Sequence, residues 1–220
     1  MKIFANLPGL LFLLLMAIGC NPRSGDMSQS NSEFTSLFDG KSLDGWMGNK
    51  VDYSVQNGAI VITPESGGRG NLYTSKEYEN FVFNFKFKLT PGANNGLGIH
   101  APLEGDAAYL GKEIQILDNT ADKYANLKEY QYHGSVYGVA PAKRGALVPV
   151  GEWNQQIVTV LREYIKVELN NTVILEGNYL KPGSTVDGKE HPGLSKRSGH
   201  IGFLGHGDEV QFKDINIKIL

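Results

Sequence analysis

Glu113 and Gln115 stand two residues apart in the run Gly111-Lys112-Glu113-Ile114-Gln115-Ile116-Leu117-Asp118. In a strand that spacing puts Glu113, Gln115 and Leu117 on one face and Ile114 and Ile116 on the other, with the two polar side chains about 7 Å apart. A carboxylate beside an amide on a sheet face describes either a solvated surface or the floor of a polar cleft. The stretch alone favours the surface. Further groups able to move protons or bind hydroxyls recur at strand-like positions: His100, His133, Tyr137 and His206. Singly each is an ordinary surface or strand-end residue, but on neighbouring strands they would supply carboxylate, imidazole and phenol to one groove, the equipment of acid–base chemistry.

Other chemistries lack their residues. The five histidines are scattered without metal-ligand spacing, so no metal motif stands out and no cofactor is expected. Gly67-Gly68-Arg69-Gly70 has neither the lysine nor the strand-to-helix setting of a phosphate loop, and no serine nucleophile elbow occurs. With a net charge of −2 and no basic excess, nucleic acid is not an expected partner. Trp46 and Trp153 could stack on sugar rings, but burial is the commoner fate of tryptophan, and Trp153 is expected in the core.

The elements that must position these groups read as strands. Val51 to Val55 and Ala59 to Ile62 flank Asn57-Gly58, a two-residue hairpin signal. Phe81 to Leu89 alternates four phenylalanines and Leu89 with Val82, Asn84 and two lysines, so one face is core. Leu97 to His100 and a long glycine-containing loop lead to the Glu113 strand. Asn119 to Tyr130 has room for one short helical turn, and Gln131 to Ala140 reads as extended, ahead of the basic loop Lys143-Arg144-Gly145. Gln155 to Leu161, Tyr164 to Leu169 and Thr172 to Leu175 form a meander turned at Asn170-Asn171. Leu180 to Arg197 is a polar insertion fit for a lid or a crossover. Val210 to Ile219 slips phase at Lys213-Asp214, as a β-bulge does. About a dozen strands without a sustained helical period predict an all-β sandwich of two packed antiparallel sheets.

The N-terminus begins with Lys2, runs apolar from Leu10 to Ile18 and ends Ala17-Ile18-Gly19-Cys20. This resembles a bacterial lipoprotein signal. Cys20, the single cysteine, would be the lipidated residue and cannot form an internal disulfide. Residues 1–19 are accordingly expected as signal peptide, 20–33 as flexible tether and 34–220 as one domain. An exported protein on the bacterial cell envelope, facing the periplasm or the cell surface and held to the membrane through its lipid alone, is the implied location.

Two resemblances bear on the chemistry. The acidic strand is similar to that of retaining β-glucanases on the concanavalin-like sandwich, with Glu113, Gln115 and Asp118 at the motif positions. Gln115 is neutral, however, and in an unbroken strand Asp118 faces away from Glu113, so two carboxyls about 5 Å apart would require a bulge. From Phe34 to Leu220 the chain resembles the bacterial 3-keto-disaccharide hydrolase family, also described as 3-keto-glucoside 1,2-lyase/hydratase domains. The motifs carrying this are Phe34 to Trp46, Asn95-Gly96, Glu113 to Asp118, Tyr132 to Gly138, Pro149 to Asn154 and Gly199 to Gly207.

The resemblance implies a concanavalin A-like jelly roll acting on glycosides already oxidised at C3 by a partner oxidoreductase. The keto group acidifies the C2 hydrogen, and the C1 substituent leaves by elimination, with hydration of the product as a further step. It implies Glu113 as base or acid, His206 or His133 as its counterpart, and Gln115, Tyr137, His100, Asn95 and Arg144 as substrate contacts. His100 departs from the arginine common in the family, and Leu204-Gly205 replaces a more polar pair. A non-catalytic carbohydrate-binding lipoprotein and a retaining β-glucanase-like glycoside hydrolase are the alternatives on the same scaffold.

Overall fold

A computed structural model describes residues 1–3 and 33–220; the apolar leader, Cys20 and nearly all of the tether lie outside the described residues. The strands are β1 (Thr35–Ser36), β2 (Trp46–Gly48), β3 (Tyr53–Gln56), β4 (Ala59–Ile62), β5 (Asn71–Tyr78), β6 (Phe81–Leu89), β7 (Asn94–Ala101), β8 (Lys112–Leu117), β9 (Trp153–Leu161), β10 (Tyr164–Leu169), β11 (Thr172–Gly177), β12 (Gly199–Gly205) and β13 (Val210–Ile219). One α-helical turn, α1 (Ala107–Leu110), precedes β8.

All strand pairings among the described residues are antiparallel and fall into two sheets. The larger runs β11-β10-β9-β6-β13-β4-β3, with β1 beside β13, and the smaller runs β2-β5-β12-β7-β8. This is the expected jelly-roll sandwich. Phe81, Phe83, Phe85 and Phe87 of the larger sheet and Leu97, Ile114, Ile116 and Phe203 of the smaller are all fully buried in one core. Phe203 lies on Phe212 at 3.7 Å between ring centres, so aromatic packing joins the sheets directly.

Local chemistry explains the turns. Asn57 and Gly58 both take positive φ, 50° and 75°, and close the β3–β4 hairpin as a two-residue primed turn. The slip at Lys213-Asp214 is a bulge: Asp214 has φ 52° and the β13–β6 register shifts between Lys213 and Asn216. Asn170 and Asn171, again left-handed, turn β10 into β11.

Two expectations need correction. Trp153 is only half-buried; it alternates outward on β9, where the amines of Lys88 and Lys213 lie 5.1 and 4.2 Å from its ring. Residues 131–140 form no strand. They dock along the outer edge of β8 through Gly134 N–H to Gln115 O, Gln115 N–H to Ser135 O and Tyr137 N–H to Glu113 O, at 2.8, 3.0 and 2.9 Å. Left-handed Gly134 and Gly138, at φ 81° and 68°, break the extended run, and a Cβ at either would strike a side chain, Ile174 or Asp187.

Candidate active site

β8 is the edge strand of the smaller sheet, yet all six of its residues are buried, because residues 131–140 cover its edge and other segments cover its outward face. Ile114 and Ile116 enter the core, and Glu113, Gln115 and Leu117 line a cavity of about 230 Å³ on the opposite face. Asn94 of β7 lies beside Gln115, whose Nε2 donates to Asn94 Oδ1 at 3.3 Å. The loop after β12 contributes His206, and the docked segment contributes Gln131 and Tyr137. Asp106, Ala108 and Tyr109 close one wall, Tyr124 and Leu127 another.

Glu113 is 4% exposed and Gln115 6%. Neither Glu113 Oε1 nor Gln115 Oε1 has a hydrogen-bond partner among the described residues. Gln115 Oε1 faces the cavity without a partner and Glu113 Oε1 has only a long contact to His206, so the pair calls for a ligand carrying donors, since unpaired burial is costly. His206 Nε2 approaches Glu113 Oε1 to 3.5 Å, an ion-pair contact, with 42% of the His206 side chain exposed and 5% of the Glu113 side chain. The interaction with Glu113 raises the His206 pKa above its ordinary value, against opposing desolvation and the Arg69 charge. Burial raises the Tyr137 pKa, so its phenol keeps its proton at neutral pH. Gln131 Nε2 donates weakly to that phenol at 3.5 Å.

Glycine makes the room for this arrangement. Gly96 of β7 pairs with Gln115, and a Cβ at Gly96 would collide with the Glu113 carboxylate. The carboxylate occupies the volume a side chain on β7 would otherwise take.

Thus Glu113, Gln115, Tyr137 and His206 share one cavity, and four other expected site residues lie elsewhere. His133 is 1% exposed and stacks on Phe87 at 5.1 Å. Its Nδ1 accepts from Leu117 N–H at 3.2 Å, which leaves Nε2–H to donate to Gln156 Oε1 at 3.0 Å. Burial lowers its pKa to about 4, so it is a neutral core residue. His100 should face the cavity by strand alternation, but its φ of 48° turns it inward. There Nε2 meets Glu79 O at 2.8 Å and Nδ1 meets Lys112 Nζ at 2.9 Å. Asn95 is fully buried, one strand phase away from Asn94, and does not line the cavity. Arg144 lies outside, 4.3 Å over Tyr132 and 3.6 Å from Glu129.

Asp118 is occupied at the end of β8. Oδ2 accepts from Gly92 N–H at 2.8 Å, and Oδ1 accepts from Thr120 N–H and Oγ1–H at 2.9 and 2.6 Å. Burial opposes its charge, but these bonds outweigh burial and hold its pKa below the usual carboxylate value. No bulge carries it to Glu113, so the paired-carboxylate geometry of a retaining glucanase is absent from β8.

Asn94, Tyr109 and Gln131 were not anticipated. Asp106-Ala107-Ala108-Tyr109 carries a helix-start signal, and Asp106 Oδ1 accepts from Ala108 N–H at 3.0 Å as an N-cap. One turn is too short for periodicity to reveal.

The model of the 3-keto-alpha-glucoside-1,2-lyase-like domain matches residues 33–218. A 3-keto-disaccharide hydrolase of Bacteroides thetaiotaomicron is 26% identical over 227 residues, spanning 85% of this chain and 78% of the relative. A crystal structure of a candidate glycosyl hydrolase from Parabacteroides distasonis is similar with TM-score 0.76 and 27% identity, covering 86% of this chain and 100% of that one. A carbohydrate-binding module from Bacillus subtilis, 11% identical with TM-score 0.53 over 79% of this chain and 95% of its own, shares the fold alone. With a family match over nearly all of its described residues, the chain belongs to the 3-keto-alpha-glucoside-1,2-lyase-like domain family.

Proposed function

We propose that this protein is a carbohydrate-active enzyme of the 3-keto-disaccharide hydrolase type that cleaves 3-keto-glycosides by elimination. The observation that carries the reading is the buried Glu113 Oε1, free of hydrogen bonds and 3.5 Å from His206 in a cavity of about 230 Å³. That volume is below the range of drug-sized pockets and suits a single sugar ring, with the aglycone nearer the opening.

In the proposed reaction Glu113 takes the proton from C2, and the C2–H electrons pass into an enolate with the C3 oxygen. The enolate collapses to form C1=C2 as the C1–O bond breaks, and His206 gives its proton to the departing oxygen. A base desolvated in a cleft and an imidazole whose acid form is favoured by that same carboxylate are suited to these roles. Tyr137, which keeps its proton, is the donor for the enolate oxygen. Gln115 turns its amide nitrogen to Asn94 and its oxygen to the cavity, and so accepts from a sugar hydroxyl. Water added across C1=C2 would turn the eliminated product into a net hydrolysis product.

The substrate must arrive oxidised at C3, which requires an oxidoreductase acting earlier on the glycoside. Export and lipidation at Cys20 complete the proposal; labelled palmitate should enter the wild-type chain but not Cys20→Ser.

Deuterium at C2 provides the decisive test. A 3-keto-glucoside labelled there should lose its deuterium to solvent as aglycone is released, whereas the unoxidised glucoside should remain intact. Release with the C2 label retained would overturn the elimination, and cleavage of the unoxidised glucoside would restore an ordinary glycosidase. Calorimetric binding of glycans without turnover would instead favour a carbohydrate-binding lipoprotein.

A further inference from the structure

The segment joining β11 to β12 has the composition of a flexible crossover but is cinched to the body of the protein. Val186 N–H bonds to Gly138 O at 2.8 Å, and Arg197 bridges Glu163 and Leu180 O, each at 3.1 Å. The 3₁₀ turn Pro192–Ser195 packs backbone against backbone: a Cβ at Gly193 would collide with Gly111 O. Asp187 and His191 form a pair at 3.0 Å with side chains only 3% and 1% exposed.

Two residues of the same segment, His191 and Lys189, meet Tyr109. The His191 ring lies 4.5 Å from the Tyr109 ring, and Lys189 Nζ donates to the Tyr109 hydroxyl at 2.8 Å. Tyr109 in turn meets Tyr137 edge-on at 6.4 Å, and both rings line the cavity. Tyr109 is carried by a helix of four residues, too short to hold its own geometry in water. The ring's direction must come from what packs behind it.

We propose that residues 178–198 form a fixed strap and that Lys189, acting through the Tyr109 hydroxyl, is a positioning residue for the aromatic wall that receives the sugar. The proposal rests on the reading of the cavity as the sugar site. Lys189 touches no reacting atom, so its contribution is to binding that ground state and transition state share, which appears in KM rather than kcat.

A double-mutant cycle on the full chain tests this, with Lys189→Ala, Tyr109→Phe and the double variant assayed on a 3-keto-glucoside. Lys189 is exposed, so its replacement should leave the fold intact. Each single change should raise KM roughly three- to tenfold, the range one hydrogen bond carries, and the double variant should be no worse than Tyr109→Phe. Additive effects, an unchanged KM, or a fall confined to kcat would overturn the proposal. Hydrogen exchange provides a readout independent of catalysis. In Lys189→Ala, residues 107–111 should exchange faster while β6 does not, and unchanged exchange at 107–111 would sink the strap. A wild-type protein that leaves the 3-keto-glucoside untouched would refute the sugar-site reading, and with it Lys189's role in sugar binding.

Discussion

Lys112 and Glu113 are neighbours in the chain, equally withdrawn from water at 2% and 4% exposure, and they point to opposite faces of β8. On the core side the Lys112 amine donates to Lys196 O at 2.6 Å and contacts His100 Nδ1 at 2.9 Å. On the cavity side Glu113 Oε1 has no hydrogen bond among the described residues. Burial is the same for both; satisfaction is not. A buried polar group whose valences are filled contributes to the architecture, and one left unfilled beside a cavity is poised for something that has yet to arrive. The two histidines differ in the same way: His133 spends both ring nitrogens inside the core, whereas His206 keeps one side open to the solvent.

The largest effect should follow Glu113→Gln. It keeps the shape and removes the base, so kcat on a 3-keto-glucoside should fall about 10³-fold while the melting temperature stays near wild type. Substantial residual turnover would remove Glu113 from the chemistry. Next comes His206→Asn, with a loss of about 10²-fold. In the wild type, kcat/KM should decline as pH rises through the elevated pKa of His206, because its acid form is then lost; that limb should be absent from the variant's pH profile.

Gly96→Ala sharpens the contrast from the neighbouring strand. Its methyl group needs the space of the Glu113 carboxylate, so activity should drop about 10²-fold through misplacement of the base, with a stability cost of about 1–3 kcal/mol. A fully active Gly96→Ala would show that the carboxylate does not need that seat.

On the other side of the comparison the effects should appear in stability. His133→Phe preserves stacking on Phe87 but strips partners from Leu117 N–H and Gln156 Oε1, at a cost of about 1–3 kcal/mol for each buried group left unpaired. Denaturant melts would detect this. The smallest effect at neutral pH is expected for Lys112→Met, because removing a desolvated amine offsets the loss of its contacts with Lys196 O and His100 Nδ1. Burial, with the charges of Arg197 and Lys196, lowers the Lys112 pKa from 10.5 to about 7. Between those values the unfolded chain binds a proton that the folded protein does not, so wild-type stability should rise with pH across this window. The methionine variant should lack that rise; the same slope in both proteins would mean that the amine stays charged in the fold.

Much of the architecture was legible because it depends on local rules. Alternation marked β6 and β8, Asn57-Gly58 marked a primed turn, and the phase slip at Lys213-Asp214 marked a bulge, each imposed by backbone geometry on a few adjacent residues. The irregular segments were harder. Residues 131–140 carry strand-like composition, but Gly134 and Gly138 adopt left-handed φ to fit beneath Ile174 and Asp187, neighbours distant in sequence. For Trp153, residue type suggested core, and the strand phase turned it outward.

By itself, then, the sequence determined the all-β character, most strand phases and the placing of Glu113 and Gln115 on a common face, since side-chain alternation follows from the pleat alone. Only the tertiary structure decided which of the polar residues meet. His100, His133 and His206 look alike in the chain; a single left-handed φ turned the first inward, the space between the sheets enclosed the second, and a loop after β12 carried the third to Glu113. That choice depends on which strands become neighbours and which hydrogen bonds the interior fills, and both arise only when segments far apart in sequence pack together.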